Sequence, residues 1–185
     1  MAKTTRRNPK IRDKVNEALE RVANQAMADD KAEVHLCTLE LPMQFSEDQH
    51  IANDIYKHIQ SDFCKAVLRR TGETPRYVTV RKEGEVRPGY AFCLFTKAGL
   101  DMALVDKGRE IANGKAMHFG WGRGKLDVVE LIRDAPRFSV SQSLTLSDGT
   151  KATVMQQLQE HLQGKPERSS QPHQRTMFVS KCKYK

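Results

Sequence analysis

The chain has 185 residues, 38% of them hydrophobic and 29% charged, with a formal charge of +8; this suits one compact domain with tails and would be cramped for two. Its longest apolar runs, VVELI and AFCLF, are far too short to cross a bilayer, and the basic start MAKTTRRNPKIRDK lacks the apolar stretch of a secretory signal, so the sequence reads as a soluble cytoplasmic protein with no membrane partner. Residues 1–14 and 165–185 carry +5 each, leaving −2 for the middle, and basic ends on a near-neutral core favour a polyanion reached electrostatically.

A basic tail over 1–10, a single α+β domain over 11–163 and a second basic tail over 164–185 are expected. Ile11, Val15, Leu19, Val22 and Ala26 recur at helical spacing and predict an amphipathic helix to Met27. EVHLCTLELP then reads as a strand ended by Pro42. Ser46-Glu47-Asp48-Gln49 has the form of a capping box. It opens a helix with the stripe Ile51, Ile55, Ile59, Phe63 and Val67, a basic last turn, and Gly72 as its stop. RYVTVRK and GYAFCLF flank a charged Gly/Pro loop as a hairpin. A third helix from Ala98 should end by Asn113-Gly114, and the glycine-rich HFGWGRGK should lead into a strand, LDVVELI, at 126–132. Asp148-Gly149 marks a turn before a short helix with Val154, Met155, Leu158 and Leu162, and beyond Gly164 only TMFVS has the character of a strand docking back. Without its first helix the order is β-α-β-β-α-β: a split βαβ antiparallel sheet with helices on one face, plus an N-terminal helix, leaving the other face free for nucleic acid.

Chemistry is sparse. There is no GxxxxGK[ST], GxSxG or HExxH, and GWGRG at 120–124 precedes a strand, so it reads as a flexible turn with Trp121 as a core or lid residue. Cys37, Cys64, Cys93 and Cys182 form no CxxC pair; the first three read as small buried hydrophobes and the last as an exposed thiol. The six histidines include no H-x-H pair, His50 and His58 lie too far apart along one helix to share a metal, and His35 reads as a partly exposed sheet residue. Glu83 and Glu85 read as solvated loop charge. No cofactor or metal is called for.

LELP (39–42), RYVTVRKEGEVRPGYAFCLF (76–95) and HLQGKPERSSQPHQRTMFVSK (161–181) together resemble the inovirus replication-protein-like family, the YagK/YfjJ-type prophage domain. That family is similar to HUH replication-initiation endonucleases, in which two histidines hold a divalent metal and a tyrosine attacks a DNA phosphodiester. The resemblance implies a ferredoxin-like HUH fold and a DNA partner. Its hairpin typically reads YVWVREQ, a loop, then PHYHVLLLLN. Tyr77, Val78, Val80, Arg81, Pro88 and Tyr90 match. Gly89 and Ala91 stand at the histidine positions, Lys82 stands at a glutamate position, and no tyrosine lies between Tyr90 and Tyr184.

On this reading the chain is a catalytically inactive, HUH-like DNA-binding protein of a phage, satellite or plasmid, acting as a regulator or a replication or defence accessory. Gly89 and Ala91 mark a degenerate metal site on the strand face they share with Cys93 and Phe95, unless both faces are buried and they merely admit close packing. Arg69, Arg70, Arg76, Arg81, Lys82 and Arg87 are the candidate nucleic-acid contacts. The alternatives are a protein-binding inhibitor or interaction module of a mobile element, and an active metal-dependent nicking enzyme with a displaced site that uses Tyr184 or Tyr77. An RNA-binding split-βαβ domain is the weakest, because no aromatic-rich RNP-like strand is present.

Overall fold

The computed structural model describes residues 11–82, 86–122, 133–163 and 177–180. They form α1 (Ile11–Ala28), β1 (Glu33–Glu40), a 3-10 turn (Met43–Phe45), α2 (Gln49–Thr71), β2 (Arg76–Lys82), β3 (Gly89–Thr96), α3 (Met102–Gly122), β4 (Arg137–Thr145), α4 (Lys151–Gln163) and β5 (Met177–Val179). The strands make one antiparallel sheet in the order β4-β1-β3-β2-β5. Its first four members have the split βαβ arrangement. TMFVS supplies β5, which pairs Val78 with Val179 and extends the sheet beyond β2.

The sheet is covered on both sides, so the expected free face does not exist. α2 and α3 pack on one face over Cys37, Leu39, Tyr90, Phe92, Leu94 and Phe138. α1 and α4 pack on the other over Val34, Leu36, Val78, Val80, Ala91, Cys93 and Phe95. Two-sided burial is what an unbroken apolar strand requires, and β3, GYAFCLFT, is buried along its whole length. Polar contacts tie the covering helices together: Lys151 reaches Glu20 at 2.7 Å and Asn24 at 2.8 Å, and Gln163 donates to Asn16.

The α2 stripe is buried as its spacing demands, and Gly72 caps the helix in the left-handed region at φ 78°, its N–H bonding the Leu68 carbonyl. The N-cap differs from the expected Ser46: Ser46 ends the 3-10 turn, and the Asp48 carboxylate accepts from the His50 and Ile51 amides. A carboxylate at this end also complements the positive end of the helix dipole. α3 runs through Asn113-Gly114 to Gly122, where a stop was expected. Gly in a helix costs about 1 kcal/mol against Ala, an amount outweighed here by burial of Ala112 and Ala116 against α2 and by Phe119 meeting His58 at 5.1 Å. Residues 120–122 of GWGRG are therefore helical.

The fourth strand is 137–145, the polar RFSVSQSLT, and not the stretch at 126–132 where a strand was expected. The strand predicted at 126–132, the side chain of Trp121, Glu83, Glu85, Cys182, Tyr184 and both basic tails apart from 177–180 lie outside the described residues.

α3 crosses β4 at Gly108, where an added Cβ would meet the Phe138 ring at 2.6 to 2.9 Å. Phe138 cannot retreat easily, being buried edge-on against Phe63 at 4.9 Å. Gly108→Ala is therefore expected to lower unfolding stability by about 1–3 kcal/mol in urea titration, whereas Gly114→Ala, with open space around its Cβ, should be neutral or stabilising.

Candidate nucleic-acid interface

The six candidate cations do not form one patch. β2 separates Arg76 from Lys82 by roughly 20 Å, at about 3.3 Å per residue, so Arg69, Arg70 and Arg76 lie toward one end of the sheet and Arg81, Lys82 and Arg87 at the other. At the first end the cations are matched by acids. Arg76 bonds Asp29 through Nε at 2.9 Å and Nη2 at 2.5 Å, holding that carboxyl below its ordinary range, and Arg70 meets Asp101 at 2.9 Å. Arg69 is exposed at the end of α2.

At the hairpin end Arg87 acts as a clasp. Its Nε donates to the Leu41 carbonyl at 3.1 Å, Nη2 to the Ala135 carbonyl at 2.6 Å, and Nη1 pairs with Asp134 at 2.5 Å. Asp134 in turn accepts from the Met43 amide at 2.6 Å. This guanidinium joins the end of β1 to the start of β4, and a group so engaged has little left for a phosphate.

Arg81 and Lys82 alternate to opposite faces. Arg81 reaches Asn53 at 3.5 Å beside Tyr90, whose hydroxyl donates to the same Asn53 oxygen at 2.8 Å. On the other face the register aligns Lys82 with Gly89, Gly89 with Glu40, and Glu40 with Arg137. Glu40 is flanked by Arg137 at 3.6 Å and Arg87 at 4.0 Å. Lys82 and Arg137 thus bracket this row across three strand spacings, about 14 Å. Arg133, exposed just ahead of β4, adds a further cation. Arg133 and Arg137 escaped the sequence reading because β4 was placed earlier in the chain.

Gly89 and Ala91 are buried, Ala91 beneath the second helical layer. A β-bulge between Leu36 and Cys37 shifts the β1–β4 register; nearby, Ser141 Oγ donates to the Leu36 carbonyl at 3.2 Å and His161 Nε2 donates to the Cys37 carbonyl at 2.8 Å. His161 comes from α4 and lies over the β1–β3 strands beside Lys82 and the Phe92 backbone. The small residues on β3 thus leave room for α4 to pack closely. Among the described residues no three His, Cys, Asp or Glu side chains converge on a point that could hold a cation.

His35 is fully buried, contrary to the expected partial exposure. Thr96 donates its hydroxyl proton to the Ala98 carbonyl, so its oxygen accepts from His35 Nε2–H at 2.9 Å, while His35 Nδ1 accepts from Ser143 at 2.8 Å. Neutral His35 thereby ties β1 to β3 and β4. Cys37 and Cys93 are buried as read, and Cys64 is half-buried. Burial raises the Tyr77 and Tyr90 phenols above their ordinary range.

No family model matches the chain, and neither a curated protein nor a solved structure matches it significantly. The family likeness therefore rests on the sequence stretches 39–42, 76–95 and 161–181 and on the order of elements.

Burial lowers the pKa of both His35 and His161, with Glu33 opposing the shift at the first and Lys82 adding to it at the second. Below the ordinary histidine value of about 6.5 the unfolded chain takes up protons before the folded one. The stability present at neutral pH is therefore lost as pH falls through this window. Urea midpoints should decrease from pH 7 to pH 5, and His161→Gln should flatten the slope; a midpoint constant over that range would contradict the neutral burial of these rings.

Proposed function

We propose that the chain is a cytoplasmic DNA-binding protein that holds phosphate at the hairpin end of its sheet and does not cut the strand. The observation that carries this reading is the cross-strand row ending in Lys82 and Arg137, with the Glu40 between them already neutralised by arginines. Dispersed cations of this kind bind the backbone with little sequence readout. The split βαβ topology supports the likeness to HUH-type proteins, and Gly89 and Ala91 offer no lone pair with which to hold the ion that strand cutting in that group requires. A role as regulator or as replication or defence accessory of a phage, satellite or plasmid follows from that likeness.

The test is binding of labelled single-stranded and duplex oligonucleotides across salt, alongside a denaturing gel for strand breaks and tyrosyl adducts. A second reading, a protein-interaction module, is favoured by Val86 and Met43, which lie 73% and 50% exposed near the same end. Absence of oligonucleotide binding at low salt would favour that reading.

A further inference from the structure

A groove of about 370 Å³ runs between α2 and the β2–β5 edge, within the size range of small-ligand sites. Residues four apart on a helix form ridges. Lys57, Ser61, Lys65 and Arg69 make one such ridge beside the groove, while Cys64 and Leu68 belong to the next row and form its floor. The opposite wall is aromatic, built from Tyr77 and Phe178. Phe178 is supported from beneath by Tyr56, ring centroids 5.3 Å apart, and Lys57 Nζ already stands 5.7 Å from the Phe178 centroid. Leu68 remains 39% exposed.

Flat rings on one side and spaced ammonium groups on the other complement a flat, apolar body that carries negative charge at its edge. We infer that this groove takes a nucleotide of a single strand, with the base against Tyr77 and Phe178 and the flanking phosphates on Lys57 and Lys65. The inference rests on the proposed function and deepens it, since base stacking requires bases that are not already paired. The lysines now meet Asp54 at 3.7 Å and Asp62 at 3.0 Å, but all four side chains are substantially solvated, and such pairs yield readily to a phosphate. The base edges would find the polar groups of Gln60 and Ser61 within the groove.

The experiment is fluorescence anisotropy of the full chain with labelled oligothymidine and with a labelled duplex, and competition by free thymidine monophosphate. Tyr77→Leu should weaken oligothymidine binding about tenfold, Lys65→Glu should weaken it as well, and neither should change duplex affinity. Equal losses for both nucleic acids, or no loss for the single strand, would overturn the inference. Competition by the mononucleotide at concentrations matching the oligomer would replace the strand with a free nucleotide as occupant. Circular dichroism checks folding; if Tyr77→Leu does not fold, Lys65→Glu, on an exposed helix surface, carries the test. If Lys82→Glu and Arg137→Glu leave binding intact while the groove variants abolish it, the hairpin-end reading fails and the groove stands. Binding of neither nucleic acid would overturn both.

Discussion

Ala91→His, which restores an imidazole at one of the metal-holding positions implied by the likeness, is expected to destabilise the protein and to create no metal site. Ala91 is fully buried opposite Thr38 and Val80 beneath α1 and α4. The larger side chain must displace a packed helix and also bury ring nitrogens, for a combined cost of roughly 3 kcal/mol. In a chain of this length that corresponds to a fall of about 6–12 °C in Tm. Manganese should not restore it, because metal binding would stabilise the folded state only if a site existed. A variant of unchanged Tm that is stabilised by manganese would mean that α4 leaves this face readily and that the site beneath it is still functional.

The second large effect concerns affinity. Lys82→Glu combined with Arg137→Glu places two carboxylates at the ends of the row whose centre is already Glu40. Losing two phosphate contacts should reduce the magnitude of the log K against log salt slope by about 1.4 for a single strand and about 1.8 for a duplex. Affinity at low salt should fall by at least tenfold. If the double reversal leaves both affinity and slope unchanged, the hairpin end is not the interface.

What was legible in the sequence followed periodicity and termini. The α2 stripe from Ile51 to Val67 and its stop at Gly72 could be read because a long amphipathic helix repeats its signal many times. β4 could not, because RFSVSQSLT is a polar strand at the sheet edge with few apolar positions, while the more apolar LDVVELI drew the assignment. Arg76, Lys82 and Arg87 lie within one short stretch of sequence, yet a strand carries its two ends far apart, and only the paired carboxylates show which cations are already engaged. AFCLF is apolar at every position and so left burial of both faces open beside the expected free face, but the helices that cover its second face come from opposite ends of the domain. Only the fold brings α1 and α4 together over Ala91.

The most direct test of the central claim is one salt titration of a labelled single-stranded oligonucleotide with the full chain in the presence of manganese, each point read by anisotropy and then on a denaturing gel. Binding that weakens steadily with salt, on strands that remain full length and free of protein adduct, is the predicted result. No saturable binding at low salt, or a shortened strand carrying covalently attached protein, would contradict it.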